Sequence, residues 1–142
     1  MINKQTMYFK ILTQEASNVT KKATEKTPTI VFDNDEPFLA IGSPGGSRII
    51  TAVLQIILNV IDFEQSLEEA TDSKRVHHQW YPDDIDIEET YYQINELMDL
   101  GYKIDIIDTA TCTQSIMIVD GEFIGVSDLR RPDSLALGVK ND

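Results

Sequence analysis

Cysteine is nearly missing from these 142 residues: Cys112 stands alone, so no internal disulfide can close and no thiolate-rich zinc site can be assembled. Nothing in the chain requires an oxidising compartment. Basic residues are also few, with 12 Lys and Arg against 24 Asp and Glu and a formal net charge of −12. Such a balance leaves no general surface for phosphates, so nucleic acid and anionic membranes are not expected as partners. No apolar run reaches the roughly 18 residues of a membrane span, and the N-terminal stretch MINKQTMYFKILTQEASN is too polar for a signal-peptide core. As encoded the chain reads as cytoplasmic, and its compartment stays open at this point. Seven Gly, five Pro, 42% hydrophobic and 25% charged residues exclude a low-complexity, disordered chain. What remains is length enough for one ordinary domain with its own core.

Residues 1 to 27 carry little apolar periodicity and end at Thr27-Pro28, a pair that favours extended chain. They read as a weakly structured leader. TIVF, the turn residues Asp33-Asn34-Asp35 and PFLAI then predict a β-hairpin. After the loop Gly42-Ser43-Pro44-Gly45-Gly46 comes SRIITAVLQIILNVIDF, where Thr51, Gln55, Asn59 and Asp62 form one narrow polar stripe on a helix. A helix so apolar on its other faces belongs inside a layered structure or against a partner surface. Ser66 with Glu69 predicts a capping box that opens a short helix through Leu67 to Ala70. RVHHQW reads as extended, and Pro82 with DDIDIEE as an acidic turn into a further short extended piece. Glu89 to Leu100 reads as a helix carrying Tyr92, Leu97 and Leu100, closed by Gly101 in a left-handed cap. Strands are expected over Tyr102 to Ile107, Ser115 to Val119 and Glu122 to Val126, the last two joined by Asp120-Gly121. The order predicts an α/β (α+β) domain with a substantially antiparallel sheet.

GSPGGSR lies between a predicted strand and a helix start, where free backbone N–H groups can hold negative charge. It lacks the Lys-Ser/Thr of a P-loop and the spacing of a dinucleotide site. Spacing alone leaves two readings open, a plain tight turn and an anion or oxyanion site. His77 and His78, as strand neighbours, point to opposite faces and cannot chelate one ion together, so a structural role is expected and no metal site. Trp80 is expected in core or interface packing with its N–H bonded. The run Asp83, Asp84, Asp86, Glu88 and Glu89 lacks the glycine and spacing of a calcium loop and reads as a solvated face. Cys112 has no basic neighbour in sequence and reads as a buried, inert thiol.

Taken together, PTIV at 28–31, GSPGGSRIITAVLQIILNVIDF at 42–63, RVHHQWYPD at 75–83 and TQSIMIVDGEFIGVSDLRRPDSLALG at 113–138 closely resemble the gamma-glutamyltransferase (glutathione hydrolase) family. The resemblance runs over about residues 24 to 139. It implies a partial N-terminal-nucleophile hydrolase αββα sandwich with a mostly antiparallel sheet. Residues 1–23 are then a leader, and 24–142 the C-terminal portion of the small-subunit domain. The implied chemistry is transfer of the γ-glutamyl group of glutathione and related γ-glutamyl compounds to water or an amino-acid acceptor, with no cofactor. A catalytic threonine, whose free α-amino group serves as base, carries the γ-glutamyl ester.

Carried over by motif, Gly45 and Gly46 match the pair whose N–H groups form the oxyanion hole. Thr24 matches the first of two serines that hold the substrate's α-carboxylate. The second position is Glu25, and two like charges at about 4 Å repel by about 4 kcal/mol at an effective dielectric of about 20. No Thr-His dipeptide occurs anywhere in the chain, so the family's catalytic threonine motif is missing, along with the large subunit. The chain is therefore expected to be a fragment, inactive alone, that needs the large subunit and the N-terminal half of the small subunit or else self-associates. Two alternatives stand beside this. One is a piece of a split enzyme completed by an upstream chain; the other is a non-catalytic binding protein that kept the fold. Family relatives are commonly periplasmic or secreted.

Overall fold

The computed structural model describes residues 28–89 and 93–137. The leader, residues 90–92 of the expected helix and the last five residues lie outside them, and Glu89, the expected helix start, is described in a turn. Among the described residues, β1 (Thr29–Asp33) and β2 (Glu36–Gly42) form the expected hairpin, with Asn34 and Asp35 at φ 48° and 66°. Two positive φ values across a two-residue loop match the right-handed twist of the strands it joins, which is why Asn and Asp suit it. A second tight hairpin joins β6 (Gln114–Val119) to β7 (Glu122–Ser127) through Asp120 and Gly121, again both at positive φ. The four strands make one antiparallel sheet in the order β1-β2-β6-β7.

Helix α1 (Arg48–Ile61) and the short α2 (Leu67–Asp72) cover one face of this sheet. Ile49, Val53, Ile56 and Val60 of α1, with Leu67 and Ala70 of α2, pack on Val31, Leu39, Ile41 and Met117. The start of α2 is fixed by the predicted capping box: the Glu69 N–H donates to Ser66 Oγ at 3.2 Å and the Ser66 N–H donates back to Glu69 Oε2 at 2.9 Å. On the opposite face of the sheet, the register row Ile30, Ala40 and Ile116 is exposed. A second exposed row runs along α1 through Ile50, Leu54 and Leu58. Among the described residues no helix is long and apolar enough to cross a membrane.

A second sheet has the order β3-β4-β5, from Val76–His77, Ile85–Glu88 and Ile104–Ile107. Its β4–β5 pair is parallel and needs a crossover, which passes through α3 (Ile94–Asp99). Gly101 at φ 89° closes that helix as expected, its N–H donating to the Met98 carbonyl at 2.9 Å. The extended reading of RVHHQW shortens to Val76–His77, because Trp80 takes a positive φ of 71° and leaves the strand conformation.

Packing on the two sides of α1 gives opposite expectations. Ile56→Ala should cost about 2–5 kcal/mol through the cavity it leaves. Ile50, 72% exposed, should change stability by less than about 0.5 kcal/mol when replaced by Ala. Equal losses in denaturant titrations would contradict the seating of this helix.

Candidate functional site

The glycine loop runs from the end of β2 at Gly42 to the start of α1 at Arg48. Its base is a pair of buried hydroxyls. Ser43 Oγ lies 2.7 Å from Thr111 Oγ1 and 2.9 Å from both the Pro44 and the Cys112 carbonyl oxygens, while Thr111 Oγ1 donates to the Pro44 carbonyl. Gly45 and Gly46 follow at φ 133° and 62°. A Cβ on Gly45 would sit 2.7 Å from Thr111 Oγ1, whereas one on Gly46 would meet nothing. Both positions favour glycine for the backbone, and Gly45 needs it for space as well. No acidic residue occupies the first turn of α1, and Ser47 makes no side-chain cap bond, so the positive end of the helix dipole has no internal counter-charge there. A cleft of about 130 Å³ opens beside the loop, lined by Gly45, Ser47, Arg48, His77, Asp84 and Asp86 among others.

The polar stripe of α1 points at β3. Arg48 holds Asp86 through Nη2 at 2.6 Å and Nε at 2.9 Å. Thr51 Oγ1 bonds His77 Nδ1 at 2.8 Å. The Gln55 amide takes both the N–H and the carbonyl of Val76, at 3.0 and 2.8 Å, as a neighbouring strand would. These bonds dock the second sheet onto the helix that begins at the glycine loop.

Behind the loop lies a buried ion network. Arg75, 1% exposed, donates to Asp128 at 2.8 Å, to the Thr111 carbonyl at 2.6 Å and to the Thr71 carbonyl at 2.8 Å. Arg130 reaches Glu88 at 2.6 and 2.9 Å and Asp128 at 3.2 Å. Glu88 also accepts from the N–H of Arg75 and of Ala110, and Asp128 from the N–H of Thr113 and of Arg130. Burial works against ionisation of both carboxyls, yet the cations and N–H donors outweigh it and hold both below the usual carboxylate range. Burial likewise lowers Arg75, with Asp128 opposing it; for Arg130 the bond to Glu88 overcomes burial and raises the group.

The family model for Gamma-glutamyltranspeptidase matches residues 15–138. The chain belongs to the gamma-glutamyltranspeptidase family. It is 44% identical over 115 residues to the glutathione hydrolase proenzyme of Escherichia coli, which covers 79% of this chain and 20% of that protein. The corresponding Bacillus subtilis proenzyme is 33% identical over 126 residues, again 80% of this chain and 20% of the relative. The chain thus spans about a fifth of the length of these curated relatives. Among solved structures, the gamma-glutamyltranspeptidase of Pseudomonas nitroreducens complexed with L-DON superposes with a TM-score of 0.75 at 31% identity, covering 89% of this chain and 67% of that one. The Helicobacter pylori enzyme's T380A mutant gives 0.71 at 38%, with 83% and 66% covered. The mixed, mainly antiparallel architecture is accordingly that of the N-terminal-nucleophile hydrolases.

Of the residues this family resemblance singles out, Gly45 lines the cleft and Gly46 follows it at positive φ, while Thr24 and its neighbour Glu25 lie outside the described residues. His77 is buried and bonded, and His78 turns outward to Asp83 at 3.1 Å. Among the described residues no group of three or more His, Cys, Asp or Glu is placed to hold a metal. Two expectations are corrected. Trp80 is 84% exposed, which overturns the core part of its expected packing and leaves the interface part untested. The acidic run is not one solvated face: Glu88 is 1% exposed in the ion network, and Asp86 and Asp84 pair with Arg48 and Lys103. Asp86 and Glu88 share one face of β4, and their different partners, Arg48 and Arg130, put them to different uses. Cys112 is half-buried. Thr111, Arg75, Asp128 and Arg130 went unmarked in the sequence, since the pairings that give them their roles join residues 36 to 68 positions apart.

Gly46→Ala should cost about 1 to 2 kcal/mol for the left-handed backbone, and Gly45→Ala clearly more, because the collision with Thr111 adds to its strain; equal losses in denaturant titrations would contradict the clamp. Acid should act on the network. With folded pKa values of Glu88 and Asp128 depressed, their stabilisation is present above the unfolded values of about 4 and disappears as the pH falls through the folded ones. Asp128→Asn should therefore lose about 3–5 kcal/mol near neutral pH, as Arg75 is left unpaired, and show a shallower decline below about pH 4. An unchanged acid limb in urea titrations would contradict this.

Proposed function

We propose that residues 24–142 are the C-terminal portion of a gamma-glutamyltranspeptidase small-subunit domain, carrying the oxyanion site of γ-glutamyl transfer but not its nucleophile. The observation that carries the reading is the Gly45-Gly46 pair, held at positive φ where β2 gives way to α1, beside a cleft. Attack on a γ-glutamyl carbonyl turns its oxygen into an oxyanion; backbone N–H groups aimed at that position stabilise the charge without reorganising. One such donor is typically worth about 3–4 kcal/mol of barrier. The tetrahedral intermediate then expels the amine, and water or an acceptor amine takes the γ-glutamyl group from the ester. Thr24 is proposed to offer its hydroxyl to the substrate's α-carboxylate, against the opposing charge of Glu25. The nucleophilic hydroxyl and its base come from another segment, so the chain by itself is inactive.

A second reading, one piece of a split enzyme, is favoured by the exposed apolar row Ile30, Ala40 and Ile116 on the sheet face that α1 and α2 leave open. In a sandwich such a face is covered by another sheet, and a third of the solved Pseudomonas chain has no counterpart here. The occupant on this reading is the remaining, upstream part of the small subunit.

The purified chain should release no chromophore from a γ-glutamyl anilide, and co-expression with an upstream polypeptide that supplies the threonine should restore turnover. Robust turnover by the chain alone would overturn the first reading. A soluble co-expressed complex without turnover would overturn the second.

A further inference from the structure

The Pro44 carbonyl and the Gly45 N–H belong to one planar trans peptide unit, in which C=O and N–H point in opposite directions. Whatever grips that carbonyl therefore aims that N–H. The Thr111 hydroxyl donates to the Pro44 carbonyl from the side that a Gly45 Cβ would have occupied, and Ser43 Oγ lies 2.9 Å from the same oxygen with its single proton divided between that carbonyl and the one of Cys112, so the constant grip is that of Thr111. We propose that Thr111 is a positioning residue for the Gly45 N–H, and that the buried ion network fixes Thr111 in turn. This rests on the reading of Gly45 as an oxyanion donor.

The segment that carries Thr111 is pinned group by group. The Ala110 N–H donates to Glu88 Oε1 at 2.9 Å, the Thr111 carbonyl accepts from Arg75 at 2.6 Å, the Cys112 carbonyl accepts from Ser43 at 2.9 Å and the Thr113 N–H donates to Asp128 at 2.9 Å. With its backbone held on both sides, Thr111 has a hydroxyl whose place is set by the ion network together with Ser43 at the base of the loop. The Ser43 oxygen lies 2.7 Å from Thr111 Oγ1. An anion-binding N–H aimed in advance loses no free energy to reordering when charge develops. A loop containing two adjacent glycines would otherwise be the most freely moving part of the site.

Thr111→Val keeps the shape and removes the donor; Thr111→Ser keeps the donor and removes the methyl group. In the full 142-residue chain, the backbone order parameter of the Gly45 N–H should be near the rigid value of about 0.85, fall below about 0.6 in the Val variant and recover in the Ser variant. The Ala110 amide, bonded to Glu88, should stay rigid in all three. A Gly45 N–H that is equally rigid in the Val variant would overturn the proposal, as would a Ser variant as loose as Val, since that pattern marks packing and not the hydroxyl. Should the Val variant not fold, the unmodified chain decides: the Thr111 hydroxyl proton should exchange slowly enough with water to be observed, and one averaged with solvent would overturn the grip. Turnover separates the two readings. In a complex completed by the upstream polypeptide, Thr111→Val should lower kcat with KM little changed, and Thr111→Ser should restore kcat. An active complex whose kcat Thr111→Val leaves unchanged, although the Gly45 N–H has loosened, would remove the oxyanion reading and leave the order-parameter result standing.

Discussion

Four buried charges, Arg75, Asp128, Arg130 and Glu88, hold the described structure in register. They come from separate places: the approach to β3, the end of β4 and the segment just after β7. Between them they also collect the backbone carbonyls of Thr71 and Ser73 at the end of α2 and the N–H groups of Ala110 and Thr113. Removing such charges from water costs several kcal/mol per ion, and the cost is recovered only when nearly every remaining donor and acceptor is matched. Here the matching is close to complete: among the described residues, Arg75 Nε is the one polar atom of the four side chains left buried without a partner. What the network provides is specificity of arrangement rather than a large net stabilisation. A shift in any one element would strand a charge.

The glycine loop inherits that arrangement. Nothing in Gly45 or Gly46 resists motion on its own account, and Ser47 supplies no side-chain cap to the helix that follows. Order reaches the loop from behind, through Arg75 to the Thr111 carbonyl and through the Thr111 hydroxyl to the Pro44 carbonyl. From the other side, Arg48 and Asp86 tie the first turn of α1 to β4. On the proposed reading, a site whose donors are backbone groups has to be positioned this way, because no rotamer can be selected to aim an N–H.

Features set by neighbours in sequence were legible before the fold was known. Asn34-Asp35 and Asp120-Gly121 announce tight hairpins because the turn itself demands their conformations. Ser66 and Glu69 announce the start of α2 because the capping box is closed within four residues. The polar stripe of α1 was visible as spacing, though not its purpose, since Thr51 and Gln55 find their partners more than 20 residues away at His77 and Val76. The glycine pair stood out by motif. The ion network did not, for Glu88 sits in a run of acids that composition alone assigns to solvent, and Arg130 lies 42 positions from it. Trp80 misled for a different reason: size and apolarity suggest burial, but one positive φ decides which way the side chain leaves the chain.

On the proposed reading, two requirements of acyl transfer are met in physically different ways, which is how a partial chain would carry half of a site. Oxyanion stabilisation needs N–H groups held in a fixed direction, and peptide planarity together with a buried scaffold would achieve this inside one structural unit. Nucleophilic attack needs a hydroxyl and a base placed within about 3 Å of the reacting carbon. On the proposed reading these arrive from outside the unit, so their placement depends on how accurately a second unit seats on the first. The open row Ile30, Ala40 and Ile116 lies on strands β1, β2 and β6, and β2 runs directly into the glycine loop at Gly42. A sheet seated on that face would thus be referenced to the same strand that ends at the oxyanion donors, and the two halves of the chemistry would share one rigid origin.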